Sequence, residues 1–286
     1  MRVRAFCPGH VTGFFEIHRA TDPLATGSRG AGMCLSLGAR SEVTVSESTS
    51  QSITVTIDGK QSPAEVTKAA LRRMLGNARL KVVAKTSLDL PLSQGFGMSA
   101  AGTLSASVAL AEVLEMNRRD AFEAAHIAEV ECSSGLGDIS AIYRGGVTVR
   151  VRPGLPPIGK VLRIDGTPAV VLTVLGRRLL TSRVLGDPVK SRSINLSGGR
   201  CIEAILAKPT LSSLMELSQE FALGSGLASK RAQAAMAAAQ EHGRASMSML
   251  GNSVFAVGRA EQLRKILSEF GDTWVCKVDT AGPRIL

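Results

Sequence analysis

A glycine-rich segment followed directly by a helix-forming run is the strongest chemical signal in this sequence. Residues 91–103 read PLSQGFGMSAAGT, and an Ala-rich run favours a helix over 99–114. Glycine lets a ligand approach the backbone closely, and a helix N-terminus presents unpaired N–H groups that bind anions, phosphate above all. Taken alone, these residues fit a phosphate-binding loop and a tight turn before a small-residue helix equally well.

Three side chains could complete a phosphoryl-transfer site at such a loop. Ser99 opens the Ala-rich helix, Glu129 lies on a helix predicted over 120–132, and Asp138 follows in a glycine-flanked turn. Mg²⁺ takes carboxylate and hydroxyl oxygens as ligands, and phosphoryl transfer needs a carboxylate that orients or deprotonates the attacking hydroxyl. Glu129 could equally be an exposed helix carboxylate, and Asp138 a turn or capping residue. The P-loop and the dinucleotide-binding glycine pattern are both absent from the sequence.

Several basic side chains could recognise an acidic acceptor molecule. Arg150 lies on a predicted strand, and the planar fork of arginine can bind both oxygens of a carboxylate. His126 shares a helix face with Glu129 at i,i+3 spacing, and Arg29 lies in a segment, 27–32, that reads as a glycine-rich loop. Each also has a purely structural alternative. Arg150 could lie on a solvated strand face, His126 beside a turn and Arg29 in a surface loop.

The elements that must position these residues mix strands and helices along the whole chain. Strands are predicted over 2–6, 11–17, 33–38, 42–47, 53–57, 79–85, 147–151, 161–164, 169–175, 246–257 and 274–278. Helices are predicted over 62–75, 99–114, 120–132 and 260–270, with several more within 191–242. The Pro-rich segment 153–157 is the best candidate for a domain boundary and divides the chain into 1–155 and 156–286. The pattern predicts two α/β or α+β domains.

Composition narrows the classes of partner. The 286 residues, 44% of them hydrophobic, suffice for one large or two ordinary globular domains. A net charge of +10 favours anionic partners, but the Lys and Arg residues are scattered, and aromatic residues make up only 3% of the chain. This disfavours nucleic acid, since single strands are bound by aromatic stacking. No apolar stretch reaches the ~20 residues of a membrane span, and five widely spaced cysteines indicate reduced thiols in the cytoplasm.

Four segments, in order along nearly the whole chain, resemble the motifs of the GHMP kinases, the superfamily of galactokinase, homoserine kinase, mevalonate kinase and phosphomevalonate kinase. Residues 95–101 resemble Gly-Leu-Gly-Ser-Ser-Ala-Ala, with Met98 in place of the first serine. Residues 134–138 resemble Pro-Ser-Gly-x-Asp, and 7–16 occupy the place of the first motif. Residues 250–255 resemble the late glycine motif, reduced to one glycine.

Within this superfamily, residues 8–16 and 27–32, together with His126 and Glu129, are most similar to the archaeal pantoate kinase family. The resemblance implies ATP-dependent phosphorylation of (R)-pantoate to 4-phosphopantoate, a step toward coenzyme A, by a homodimer. It also implies a two-domain α+β fold, with an N-terminal domain similar to domain 2 of ribosomal protein S5 and a ferredoxin-like C-terminal domain. The alternatives are another GHMP kinase (of homoserine, shikimate or mevalonate), a basic nucleic-acid-binding protein, and an ATP-binding module without catalysis.

With pantoate as the acceptor that the resemblance implies, each candidate residue has an expected role. Asp138 is expected to position the acceptor hydroxyl, while Ser99 and Glu129 hold Mg²⁺. The ATP phosphates are expected at the loop residues Gly95, Phe96, Gly97, Met98, Ser99, Ala100 and Ala101. Contacts with pantoate are expected from His126, Arg150, Arg29 and His10.

Overall fold

Twelve strands and eight helices make up the part of the chain that the computed structural model describes, residues 1–177 and 187–286. The order begins β1 (Arg2–His18), β2 (Gly27–Glu47), β3 (Ser52–Ile57), β4 (Lys60–Gln61), α1 (Glu65–Leu75), β5 (Leu80–Leu88), α2 (Met98–Val113), α3 (Arg118–Glu131), α4 (Asp138–Arg144) and β6 (Val147–Arg152). It continues with β7 (Lys160–Ile164), β8 (Ala169–Val174), α5 (Pro188–Ala207), α6 (Leu211–Gly224), α7 (Lys230–Ala238), β9 (Gly243–Met247), β10 (Ser253–Gly258), α8 (Ala260–Leu267), β11 (Thr273–Lys277) and β12 (Arg284–Ile285). None of these helices is both long enough and apolar enough to cross a membrane.

The larger sheet is built around the long strands β1 and β2. Its eight strands follow the order β12-β1-β2-β5-β3-β4, while β6 pairs with the first part of β2, and β7 pairs with β6. All pairs are antiparallel except β3 with β5. Two register shifts interrupt the β1–β2 ladder, which runs from Arg2 opposite Thr44 to His18 opposite Gly27. Because β5 covers one part of β2 and β6 the other, three neighbouring strands, β1, β2 and β6, support the candidate site.

The smaller sheet is antiparallel, with the order β11-β8-β10-β9. Helix α6 packs between it and strand β1, and α5 packs against both α6 and β1. Two glycines permit this close packing. A Cβ at Gly198 of α5 would lie 2.0 Å from the carbonyl oxygen of Phe15, and one at Gly13 would lie 1.9 Å from the hydroxyl of Ser218 on α6. Strand β1 is therefore covered on one side by helices from the second half of the chain.

Helix α2 lies at the centre of the core. Every side chain from Met98 to Val113 is buried except Ser99 and Glu112. The helix contacts β1, β2, α1 and α3, and its Ala, Gly and Ser residues let these neighbours approach closely. Removal of so much apolar surface from water fixes the helix firmly, and with it the glycine loop that precedes it.

The α+β fold expected from the sequence is confirmed, although several strands have other bounds than predicted. The strands predicted over 2–6 and 11–17 are one strand, β1, and those predicted over 33–38 and 42–47 both belong to β2. Strands β4 and β12 were not predicted. Residues 27–32, predicted as a loop, are the start of β2. Their glycines serve close strand approach, since a Cβ at Gly32 would lie 2.1 Å from the carbonyl oxygen of Val11. Residues 246–257, predicted as one strand, form the β9–β10 hairpin, whose strands pair from Val254 opposite Met247 onward.

The start of helix α1 also differs from the prediction. A Ser-Pro pair at 62–63 predicted a capped start, but the helix begins at Glu65. Ala64 is its N-cap residue, with a φ of 40° and no side-chain hydrogen bond to the helix. The helix therefore begins later than the local capping residues predict, where the chain leaves β4. Helix α4, which begins at Asp138, was not predicted.

Two strands beyond residue 155 belong to the larger sheet. Strand β7 pairs with β6, and β12 pairs with β1 at Ala5 and Phe6. The second half of the chain thus contributes to both sheets. The division of the chain at 155/156 stays a prediction.

Candidate active site

A cavity of about 320 Å³ lies where the glycine loop, the end of α3, the start of α4 and strands β1 and β6 meet. The turn between β9 and β10 closes part of its side through Met249 and Leu250. Eight of the residues predicted from the sequence line it: Gly95, Phe96, Gly97, Met98, Ser99, Glu129, Asp138 and Arg150. The fold therefore brings the phosphate-binding candidate, both carboxylates and one cation to a single cavity.

The glycine loop enters the cavity through backbone conformations that favour glycine. Gly95 and Gly97 have φ values of 81° and 65°, and Gly97 is the N-cap residue of α2. A Cβ at Gly97 would lie 3.0 Å from the backbone N and O atoms of His10. Ser99, in the first turn, is exposed to the cavity. The N–H groups and positive dipole end of this helix therefore face a space that can hold an anion.

The other residues of the loop are buried and serve to hold it. Phe96 and Met98 are buried at the edge of the cavity, and Ala100 and Ala101 lie wholly inside the core, outside the cavity lining. The side chain of Met98 points at strand β1, because a Cβ at Gly9 would lie 2.5 Å from its methyl group. The residue that departs from the superfamily pattern is thus a packing residue, and Ser99 is left as the loop's hydroxyl.

The turn between β9 and β10 holds the glycine loop from the other side. A Cβ at Gly251 would lie 2.1 Å from the carbonyl of Gln94, so the two backbones touch. The hydroxyl of Ser253 donates a hydrogen bond to that same carbonyl oxygen. The Gln94 side chain donates from Nε2 to the carbonyl oxygen of Gly176 at 2.9 Å. The smaller sheet therefore positions the loop, a role for Gln94 that its residue type does not reveal.

Two carboxylates lie on the cavity wall formed by α3 and α4. Glu129, near the end of α3, is 2% exposed. Burial, with the negative charge of Asp138, raises the pKa of Glu129 well above its usual range. Gly135 makes room for it, since a Cβ there would lie 2.9 Å from Oε2 of Glu129. Two anionic groups in one partly dry site are stabilised by a cation between or beside them.

The oxygen atoms of Ser99, Glu129 and Asp138 are of the kind that Mg²⁺ binds. Ser99 lines the same cavity as the two carboxylates, and Mg²⁺ prefers hard oxygen donors. Within residues 1–177 and 187–286, no group of three or more His, Cys, Asp or Glu side chains could hold a metal ion. Mg²⁺ does not need such a group, because it commonly binds through one or two carboxylates together with water and substrate phosphates.

Asp138 is held in place by His10. Its Oδ1 accepts a hydrogen bond from Nδ1 of His10 at 2.8 Å. His10 is fully buried on β1, and its backbone N–H donates to the carbonyl oxygen of Phe96 at 3.0 Å. Burial lowers the pKa of His10, although the hydrogen bond with Asp138 opposes this. The ring is therefore neutral with its proton on Nδ1, and it fixes one oxygen of Asp138.

Arg150 is a buried cation at the same cavity. It is 1% exposed and lies on β6 opposite Gly30 of β2. Its Nε and Nη1 atoms have no hydrogen-bond partner in the part of the chain that is described. Burial lowers the pKa of Arg150 to about 10, while the charge of Asp138 acts in the opposite direction. Cβ atoms at Gly30 or Gly137 would each lie 2.8 Å from its guanidinium. Free buried donors beside a cavity are suited to an anionic ligand.

His126 and Arg29 lie outside the cavity lining. The Nε2 of His126 donates to the carbonyl oxygens of Thr26 at 3.0 Å and Pro23 at 3.1 Å, which ties α3 to the segment between β1 and β2. Arg29 forms an ion pair with Glu16, with Nε 2.7 Å from Oε2. Both side chains are engaged by the protein itself, and the substrate contacts predicted for them stay predictions. His10 likewise contacts Asp138 rather than the open cavity.

The sequence did not predict the apolar residues that line part of the cavity. This part is lined by Phe15, Leu136, Met249 and Leu250, with the hydroxyl-bearing residues Thr12 and Ser28 beside them. Phe15 lies in the first superfamily-like segment, and Leu250 begins the last one. Membership of those segments is the only signal that could have found them, since apolar residue types do not distinguish a cavity wall from a core.

The chain is similar to known proteins over its whole length. Residues 64–146 match the family model for the GHMP kinases N terminal domain. The chain is 32% identical to a pantoate kinase of Methanocaldococcus jannaschii, over 96% of this chain and 99% of that protein. It is 34% identical to a pantoate kinase of Methanospirillum hungatei, over 100% of this chain and 96% of the relative.

Two solved structures show the same fold. One is a phosphotransferase related to the CoA biosynthesis pathway, with a TM-score of 0.91, 30% identity, and coverage of 100% of this chain and 99% of the other. The other is a homoserine kinase from Cytophaga hutchinsonii, with a TM-score of 0.73 and 17% identity, covering 100% of this chain and 97% of the other. At that lower identity the likeness concerns the fold alone.

Proposed function

This chain belongs to the pantoate kinase family of the GHMP kinases, and we infer that it is an ATP-dependent kinase that phosphorylates pantoate. Arg150 is the observation that carries this assignment. Its buried guanidinium has free donors and borders the same cavity as an anion-binding helix N-terminus. The cavity therefore suits both the phosphates of ATP and an alcohol that bears a carboxylate. Its product, 4-phosphopantoate, would be consumed in coenzyme A biosynthesis.

The ATP phosphates are assigned to the loop 95–99 and the first turn of α2. Backbone N–H groups and the helix dipole would bind them there, with the exposed hydroxyl of Ser99 alongside. Ser99 and Glu129 would hold Mg²⁺, which would supply positive charge to offset the negative charge of the phosphates. The raised pKa of Glu129 supports this assignment, because a buried carboxylate beside Asp138 is ionised at lower cost when a cation is near.

The acceptor is assigned to the space between Arg150 and Asp138. Arg150 would bind the carboxylate of pantoate in its planar fork. Because His10 occupies one oxygen of Asp138, the other oxygen is free to accept a hydrogen bond from the 4-hydroxyl. That hydroxyl oxygen forms a bond to the γ-phosphorus while the bond from the γ-phosphorus to ADP breaks. The hydroxyl proton passes to Asp138 as the new bond forms.

An acceptor panel tests the substrate directly. ADP release would be measured with pantoate, homoserine, shikimate and mevalonate at saturating ATP. We expect the highest kcat/KM with pantoate. An equal or higher value for another of these acceptors would contradict the assignment.

Replacement of Asp138 by Asn tests the proposed mechanism. We expect kcat to fall by ~10²–10⁴-fold with little change in ATP affinity, because the proton acceptor is lost while the phosphate loop is intact. Asp120→Asn, on the exposed first turn of α3, is the matched control and should leave both unchanged. Near-normal turnover of the Asp138 variant would refute its role.

The homodimer and the cytoplasmic location remain proposals that rest on the family alone. Light scattering of the purified protein would test the first. A mass of 30.0 kDa in solution, that of one chain, would contradict it.

A further inference from the structure

We propose that an apolar wall of Phe15, Met249 and Leu250 receives the two methyl groups of pantoate and makes the enzyme selective for a branched acceptor. This inference rests on the proposed function, since it concerns the same cavity. All three residues line that cavity. Both Phe15 and Met249 are buried, and Leu250 is partly buried, so the wall is formed by the protein's packed interior.

The chemistry of pantoate fixes where its methyl groups must go. Its carbon chain carries the carboxylate at C1, a hydroxyl at C2, two methyls at C3 and the reacting hydroxyl at C4. With the carboxylate at Arg150 and the C4 hydroxyl at Asp138, both ends are held. The two anchors are close, since a Cβ at Gly137, next to Asp138, would lie 2.8 Å from Nε of Arg150. The methyls at C3 must therefore face the cavity wall between the two anchors.

The sheet places Phe15 beside the carboxylate anchor. Phe15 of β1 lies opposite Gly30 of β2, which lies opposite Arg150 of β6. Directly opposed residues in antiparallel strands project to the same face. A Cβ at Gly30 would lie 2.8 Å from Nη2 of Arg150 and 2.9 Å from Cα of Phe15. The guanidinium thus crosses over Gly30 toward Phe15, and a ligand bound to it lies next to the Phe15 ring.

Contacts behind the wall keep it in place. The Phe15 ring packs against Phe221 of α6, with 5.7 Å between the ring centroids. The turn that carries Met249 is joined to β1, because the Met249 N–H donates to the carbonyl oxygen of Thr12 at 2.9 Å. A methyl group against such a surface gains burial, whereas an unbranched acceptor leaves part of the surface without contact.

The test compares pantoate with 2,4-dihydroxybutanoate, which has the same chain without the methyls. The measured quantity is the preference, the ratio of the two kcat/KM values. Since each methyl in an apolar pocket contributes about 10-fold or more, the unaltered enzyme should prefer pantoate by ~10²-fold. The variants Phe15→Leu and Leu250→Ala should each lower that preference by about 10-fold.

Phe14→Leu is the matched control. Phe14 precedes Phe15 on β1, is fully buried and does not line the cavity. Its replacement removes as many atoms from the core as Phe15→Leu, and the preference should stay unchanged. Both kcat/KM values come from one preparation and depend equally on the concentration of folded enzyme. A variant that is partly unfolded therefore still gives the correct ratio.

Two results would overturn the inference alone. The first is an enzyme that phosphorylates both compounds with similar kcat/KM, and the second is an unchanged preference in both wall variants. An enzyme that phosphorylates neither compound would overturn the proposed function and, with it, this inference. The two failures are therefore distinguishable.

Discussion

Replacement of Arg150 by Met tests two effects of its buried charge separately. One is the effect on the stability of the free protein, and the other is the effect on binding of the acceptor. Burial lowers the pKa of Arg150 to about 10, and since each pKa unit corresponds to about 1.4 kcal/mol, the free protein carries this charge at a cost of about 3 kcal/mol. Methionine fills much of the same space without a charge. We therefore expect R150M to raise the free energy of unfolding of the free protein by about 1–3 kcal/mol, as when other buried charges are replaced by apolar residues.

The same replacement should destroy recognition of the acceptor. A carboxylate placed in the cavity without its cation loses about 3–5 kcal/mol, which corresponds to a fall of ~10²–10⁴-fold in kcat/KM for pantoate. The KM for ATP should change little, because the proposed ATP contacts are made by the glycine loop and not by Arg150. A variant that is more stable but less active would show that Arg150 lowers the stability of the free protein while it serves acceptor binding.

Denaturant unfolding and steady-state kinetics measure the two effects. Arg152→Met is the matched control, because Arg152 lies two residues further along the same strand and is exposed. Neither quantity should change appreciably in that variant. A lower free energy of unfolding in R150M, with equal losses for ATP and pantoate, would show that Arg150 supports the fold and would refute the reasoning.

Three further predictions concern the same cavity. Because Arg150 is charged only below its lowered pKa, the KM for pantoate should rise as the pH passes about 10, while the KM for ATP stays level. Glu129→Gln should raise the Mg²⁺ concentration needed for half-maximal activity. The raised pKa of Glu129 means that its stabilising contribution is present at low pH and lost as pH rises. The free energy of unfolding of the variant should therefore exceed that of the unaltered protein by more at high pH than at low pH. The opposite trend in unfolding experiments would contradict this. Gly251→Ala should lower kcat/KM for ATP by ~10²-fold by displacing the glycine loop, whereas Gly102→Ala, whose Cβ would meet Thr86 at 3.6 Å, should not.

Much of the candidate site was predictable because its chemistry is local. A glycine loop before a helix indicates an anion site wherever the fold places it, and residues 95–99 do line the cavity. Glu129 and Asp138 were found because carboxylates near such a loop suit phosphoryl transfer. Their roles still await the experiments above.

Contacts with partners far away in the sequence could not be predicted. The hydrogen bonds of the His126 ring with the carbonyls of Pro23 and Thr26 are one example, and its predicted contact with the substrate stays a prediction. The glycines of 27–32 were predicted to form a loop, but in the structure they let β2 approach β1 closely. That neighbour cannot be recognised from the residues of the segment alone. Phe15 is a similar case, because only the pairing of β1, β2 and β6 places it beside Arg150.

The covering of strand β1 has a consequence for the biosynthesis of this protein. The strand carries His10, Thr12 and Phe15, yet its outer edge pairs with β12 and its side is packed against α5 and α6. A ribosome releases β1 long before any of these partners. During translation the strand therefore waits with an open edge and apolar side chains, a state prone to association with other chains. We therefore expect chaperones that cover the open strand to raise the yield of folded protein.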